Sequence, residues 1–377
     1  MRYVIARRLG FRGEGLGNEM LPWAKGFIAS QVLNAQLVGP SWGLNRRRYY
    51  RNFGTNRLDF LWEDCLRRLP SYYFSEQEYW DSGEIDFGKA ILNWAREKGI
   101  VGKRAFIVVV DGMYGSYPAI RNARPFLLSK LLTSRGALEH VYCVSSALDR
   151  DKLFVAVHMR VGEDFPLALS GESLRGQFNI RISANWYRAV CKALLDRFGG
   201  RVQFYFFTDR RDEAYDEIVE TFNPGQVRHT GLTECGDLLL MSQADLRVCS
   251  ISSYSLMASF LSGGPFIWFE PQLTLEDGGY TLWGAEEQQR RTGSPTKKSI
   301  EFTKNLLPGM PWAAEFQGYA VKEDGVLPAG LVTTLERKLC SNERSASLLD
   351  YGCLPGWACL PENAAPVFSP LRELTRE

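Results

Sequence analysis

The chain has 377 residues, 45% hydrophobic and 13% aromatic, more than one core usually organises, so two globular domains are expected. A formal net charge of +2 argues against a nucleic-acid partner, and three His leave little room for a His-rich metal site. The eight Cys (65, 143, 191, 235, 249, 340, 353 and 359) are scattered without a C-x-x-C pair and read as free thiols in a reducing compartment.

Tyr3 to Leu9 reads as a strand, followed by a Gly-rich turn and a helix from about Glu19 to Leu33. Its start so close to Met1 leaves no charged leader with a long apolar run, and no segment offers the about 18 apolar residues of a membrane span. A soluble, cytoplasmic protein is expected, with peripheral attachment to the inner membrane as the alternative. Ala35 to Val38 is a second strand, closed by Gly39-Pro40. Residues 43–85 are rich in Arg and aromatics and read as loop. The stretch Trp42 to Arg51 mixes basic and aromatic residues as a single-strand groove does. In a nearly neutral chain it reads better as the lining of an acceptor cleft, or as a solvated loop, and its cations suit an anionic glycan or a lipid diphosphate. A helix near 87–97 leads to the apolar run Ala105 to Val110, which ends in Asp111-Gly112, and residues 124–148 look helical.

Asp149-Arg150-Asp151-Lys152 matches a metal-binding D-x-D, but it precedes a strand rather than ending one and reads as a polar hinge. Beyond it, strands are expected at 153–158, 202–207, 226–230, 245–250 and 265–269, with helices at 185–198, 211–222, 235–243 and 254–262. Two sets of βα units imply an α/β fold of two Rossmann-like domains facing a cleft, 1–150 and 151–275. Residues 276–377 decay into Gly, Pro and charge, an extension with room to pack back on the first domain. Within it, Cys353 and Cys359 could form a disulfide or part of a metal site.

The run Leu153 to Val157 is continuous and β-branched, as in a strand buried on both faces, and it ends in His158-Met159-Arg160-Val161-Gly162-Glu163-Asp164. His158 and Arg160 are two apart and share a strand face at the end where open sheets bind ligands. An Arg there can grip a diphosphate through two parallel hydrogen bonds, which Lys cannot reproduce. Two more strand ends follow, at Thr208-Asp209 and at Ser250-Ile251-Ser252-Ser253, where hydroxyls and amides at a helix start form an anion site or a plain N-cap. Asp237 either caps a short buried helix or binds a donor edge such as guanine N1 and N2. The first turn, Gly10-Phe11-Arg12-Gly13-Glu14-Gly15-Leu16-Gly17-Asn18, lacks the G-x-G-x-x-G spacing, and no acid follows the second strand, which argues against a nicotinamide dinucleotide site and leaves a nucleotide-dependent oxidoreductase as a rival reading.

Gly15-Leu16-Gly17-Asn18-Glu19-Met20, His158-x-Arg160-x-Gly162-x-Asp164, Asp237-x-x-x-Met241-Ser242 and Ser252-Ser253-Tyr254-Ser255 fall in the order seen in α-1,2-fucosyltransferases. The set also resembles the wider group with α-1,6- and protein O-fucosyltransferases, and spans roughly residues 1–270. Relative to H-x-R-R-G-D, this chain loses the second Arg and gains a residue before the Asp. Leu256-Met257 replaces the Trp-Trp that usually follows the serine motif.

The resemblance implies a GT-B architecture, a GDP-β-L-fucose donor, a glycan acceptor that could be lipid-linked, and inversion without an essential metal or other cofactor. It implies that Arg160 holds the diphosphate with Ser252 and Ser253, Asp237 the guanine, and Asn18 the phosphate or fucose. Gly15, Gly17, His158, Thr208 and Asp209 complete the donor set. Glu14 is the first choice of base, because Glu14-Gly15 resembles a Glu-Gly in one protein O-fucosyltransferase branch; Glu163 and Asp164 are the alternates. Other readings are a transferase using another nucleotide sugar and a non-catalytic glycan or nucleotide binder.

Overall fold

Two all-parallel sheets organise the chain, one in each of two compact units. The computed structural model describes residues 1–7, 14–42, 45–149, 151–163, 165–167, 180–226, 232–250, 252–262, 264–273 and 318–340. The expected Gly10 to Gly13 turn, Gly43-Leu44, Arg150, Asp164, Ile251, most of the strand at 226–230, and the Cys353 and Cys359 tail lie outside the described residues.

The first unit runs β1 (Arg2–Ala6), α1 (Leu16–Val32), β2 (Gln36–Val38), α2 (Tyr50–Phe53), α3 (Phe60–Arg67), β3 (Tyr72–Phe74), α4 (Glu76–Ser82), α5 (Phe87–Glu97), β4 (Phe106–Val110), α6 (Ser116–Ile120) and α7 (Arg124–Leu132). Its sheet has the order β2-β1-β4-β3. Strand alternation sorts its side chains onto two covered faces. Ile5, Val38, Ile107 and Val109 pack with Leu66 of α3. Ala6 lies on the other face, under α1, where a Cβ on Gly26 would sit 2.8 Å from the Ala6 Cβ. A glycine in mid-helix costs about 1 kcal/mol of propensity, and here it lets helix and strand touch.

Residues 43–85, expected as loop, carry α2, α3, α4 and β3. The reason is local chemistry: Ser75 and Glu78 form a full capping box for α4, and α3 buries Leu66 while its other residues are exposed or half-buried. These signals are short and were masked by their Arg and aromatic neighbours.

The second unit holds α8 (Ala137–Ser145), β5 (Leu153–Met159), α9 (Ala184–Phe198), β6 (Val202–Thr208), α10 (Glu213–Phe222), α11 (Glu234–Gln243), β7 (Leu246–Cys249), α12 (Ser253–Ser262), β8 (Phe266–Phe269), α13 (Glu270–Leu273), β9 (Gly318–Val321) and α14 (Ala329–Cys340). Its order is β6-β5-β7-β8-β9, and all seven residues of β5 are buried. The units divide at Arg135/Gly136 rather than near 145–152, because α8 packs against α11. β9, inside the expected extension, pairs in parallel with β8. It is fixed by Trp186 Nε1 donating to the Lys322 carbonyl at 3.0 Å and by Gly318, where a Cβ would meet the Trp268 ring at 2.2 Å. At the outer edge of β6, Gln226 bonds both the amide and the carbonyl of Phe206, and Asn223 Nδ2 reaches the Phe204 carbonyl. These side-chain amides satisfy backbone groups that an edge strand otherwise leaves unpaired.

Among the described residues, no helix is long and apolar enough to cross a membrane. The described cysteines are free, with Cys191, Cys235 and Cys249 buried. Gly26→Val forces new methyls into the α1–β1 contact, so it should lower the unfolding free energy by about 1–3 kcal/mol in chemical denaturation.

Candidate functional site

In the second sheet the chain leaves β5 through α9 toward β6 on one side, and then crosses to β7 on the other. The carboxyl ends of β5 and β7 therefore form the topological switch point, where open α/β sheets bind ligands. His158, Arg160, Ser250 and Ser252 all lie there.

Arg160 stands one residue beyond β5, its side chain 18% exposed, with Nε 3.5 Å from Asp209 Oδ2 at the end of β6. Its guanidinium carbon lies 4.2 Å from the centroid of the Phe165 ring. Asp209 Oδ1 accepts the Val161 amide at 3.0 Å and the Gly162 amide at 3.3 Å. Gly162 must be glycine for this, since a Cβ would fall 2.3 Å from Asp209 Oδ2. Asp209, expected among the nucleotide contacts, is thus engaged in shaping the loop that carries Arg160. Thr208 is likewise used locally, accepting the Arg210 amide at 3.3 Å. Glu163 is exposed and pairs with Arg210.

His158 is buried, and its Nδ1 lies 2.7 Å from Ser250 Oγ. Burial, reinforced by the Arg160 charge, lowers its pKa to about 3, so the imidazole is neutral at ordinary pH. Its contact with Ser250 joins the end of β5 to the residue after β7. Ser252 and Ser253 are buried, and Ser252 Oγ accepts the Tyr254 amide at 3.3 Å, an N-cap of α12. The start of α12, which follows β7, and Arg160, just beyond the neighbouring β5, lie at the same end of the sheet. Asp237, at the first turn of α11, takes His140 Nε2 at 2.7 Å. Gly236 makes room for that ring, since a Cβ would lie 2.6 Å from His140 Cδ2.

The other candidates belong to the first unit. Glu14 and Gly15 precede α1, and Gly17 and Asn18 lie in its first turn. Asn18 Nδ2 donates to Glu14 Oε2 at 3.2 Å, and the Glu14 amide donates to Glu19 Oε1 at 3.0 Å. Glu19 is buried and also accepts from Asn45 Nδ2 at 3.0 Å. A Cβ on Gly15 would meet nothing within 4 Å, which leaves open space in front of that backbone. Trp42, expected in an acceptor cleft, is buried in the floor of a cavity of about 730 Å³ beside the edge strand β2, with Trp23, Phe53 and Phe126. Arg46, Arg47 and Arg48 are exposed. Sequence reasoning missed Phe165, Glu19, Asn45 and His140; Glu19 stood inside the quoted motif but carried no sign of being buried. Among the described residues, no three His, Cys, Asp or Glu side chains gather as a metal site requires.

Comparison with solved structures finds likenesses to fucosyltransferases. POFUT1 in complex with GDP-fucose is 16% identical, with 71% of this chain and 97% of that chain covered and a TM-score of 0.40. The NodZ α-1,6-fucosyltransferase soaked with GDP-fucose is also 16% identical, with 71% and 95% covered and a TM-score of 0.41. No protein-family model matches the chain, and no curated protein does.

The buried imidazole makes a pH prediction whose sign is fixed. The unfolded chain protonates His158 near 6.5 and the folded chain only near 3, so between these values the unfolded state binds the extra proton and stability is lost as the pH falls. The slope from this one group reaches about 1.4 kcal/mol per pH unit. Urea denaturation at pH 7, 6, 5 and 4 should show a steeper loss in the wild type than in His158→Gln; equal slopes would mean that the ring titrates normally.

Proposed function

We propose that the protein is an inverting glycosyltransferase that moves L-fucose, or a closely related sugar, from a GDP-sugar to a glycan hydroxyl. The observation that carries this reading is Arg160, preorganised at the switch point beside the first turn of α12. A departing nucleoside diphosphate gathers negative charge as the anomeric C–O bond breaks, and groups already aimed at that charge lower the barrier most. A guanidinium clamped by Asp209 and Phe165 needs no reorganisation to meet it.

The acceptor oxygen attacks the anomeric carbon from the face opposite the diphosphate, the bonding pair of the breaking C–O bond leaves with GDP, and the acceptor proton goes to a carboxylate. Glu14 suits that task best, being half-buried and held by Asn18, whereas Glu163 is exposed and engaged by Arg210. Arg160 and the α12 amides take the part that a divalent metal takes in other transferases, so the reaction is proposed to run without one. Asp237 keeps one oxygen for a guanine edge while His140 holds the other.

GDP should raise the melting temperature in chelator while UDP and CMP leave it unchanged; a response to UDP alone would overturn the donor assignment. Arg160→Lys keeps the charge but loses the forked geometry, and transfer should fall about 100-fold or more. Glu14→Gln should preserve the GDP shift while transfer falls about 100- to 10,000-fold, the usual contribution of a positioned base. Normal transfer by Glu14→Gln, with loss in Glu163→Gln or Asp164→Asn, would move the base to the second unit.

A further inference from the structure

The first sheet has a switch point of its own. From β1 the chain crosses by α1 to β2 at one edge, while β4 is entered from β3 at the other, so the carboxyl ends of β1 and β4 flank the crevice. The Arg7 amide donates to the Val110 carbonyl at 2.7 Å, which holds the two strands together to their last residues. Arg7 is the first residue beyond β1, and Asp111 is the first beyond β4. Tyr73 of β3 donates its hydroxyl to Asp111 Oδ2, and Arg7 reaches the same hydroxyl. Burial and the adjacent carboxylate push this phenol above its ordinary range, so it remains a donor. All three groups meet solvent, with Tyr73 at 42% exposure.

Behind them stands a buried cation. Lys25 is 0% exposed, its Nζ donates to the Asp111 carbonyl at 3.4 Å and the Gly112 carbonyl at 3.0 Å, and it lies 3.2 Å from the centroid of the Tyr114 ring. Tyr114 in turn donates to the Phe74 carbonyl at 3.2 Å, tying the end of β3 to the same loop. Burying an ammonium is costly. What this one secures is the backbone that presents an exposed carboxylate, a supporting layer of the kind that holds binding groups rigid.

We propose that Asp111, Tyr73 and Arg7 form a hydroxyl-binding subsite for a neutral sugar ring at the carboxyl end of the first sheet. The charges of Arg7 and Asp111 cancel, and the carboxylate opposes a phosphate or an acidic sugar. A carboxylate accepting and a guanidinium donating match the hydroxyl and ether oxygens of a pyranose, and the half-exposed Tyr73 ring offers an apolar surface for its C–H face. This inference deepens the proposed function by naming the acceptor's chemistry, and it rests on that reading only for the word acceptor.

The test is saturation-transfer NMR on the full chain with methyl glycosides of galactose, N-acetylglucosamine and mannose, and inorganic phosphate as the anionic control. At least one glycoside should respond and phosphate should not compete. Asp111→Asn and Tyr73→Phe should each weaken that glycoside by about tenfold or more, the scale of losing a hydrogen bond to a charged group. The GDP melting shift should be retained in both variants. No responding glycoside, displacement by phosphate, or wild-type affinity in both variants would overturn the subsite. Loss of glycoside binding in the variants of a protein that never responds to GDP would keep the subsite and overturn the donor reading instead.

Discussion

Asp209 ends β6 with a carboxylate that accepts two consecutive amides, from Val161 and Gly162, and lies beside the Arg160 guanidinium. A strand as buried as β5 must turn sharply at its end, and a turn leaves amides that need acceptors. One carboxylate supplies them and fixes the position of the Arg. The Phe165 ring closes over the guanidinium, and Gly162 admits the carboxylate at a distance that no side chain would allow. The placement of the positive charge is thus a consequence of how the strand ends, and the proposed donor chemistry depends on it.

The same economy appears at the start of α1. Glu19 is almost wholly buried, yet its Oε1 collects the Glu14 amide and the Asn45 side chain. A buried carboxylate is tolerated only when hydrogen-bonded, so the network fixes residues 14 and 45 relative to the helix. Glu14 is thus tied through its amide to a buried carboxylate of α1. Its own carboxylate accepts the Asn18 side-chain amide, a neutral donor.

Much of the architecture was legible in the sequence because long apolar periods dominate it. β5, β6, α5 and α9 were placed within a residue or two, since each combines a strong pattern with a clear polar stop. β3 and β9 were not, being three and four residues long in polar surroundings, with pairing partners that only the folded sheet supplies. The strand ends that gather His158, Arg160 and Ser252 could be read because residue type and position coincided there. What could not be read was which polar group serves which. Asp209 and Thr208 looked like ligand contacts but bond to neighbouring backbone. No spacing in the chain announces that Phe165 stacks on Arg160, or that His140, 97 residues away, reaches Asp237.

That last pairing bears on how a base could be selected. An isolated carboxylate rotates freely and accepts donors over a wide range of directions. Asp237 is held at one oxygen by a histidine that is itself buried between α8 and α11, against a glycine that leaves no slack. Its second oxygen is then confined to one direction relative to α11. A purine edge with two adjacent N–H donors would meet a single well-aimed acceptor and need its second partner elsewhere, whereas a pyrimidine of different reach would leave the carboxylate desolvated and unmatched. Under the proposed donor reading the cost of that mismatch would fall on the wrong nucleotide, as it does in a site built to hydrogen-bond when the ligand lacks the donor. Discrimination between nucleotides would therefore depend on the packing of α8 on α11 as much as on Asp237 itself.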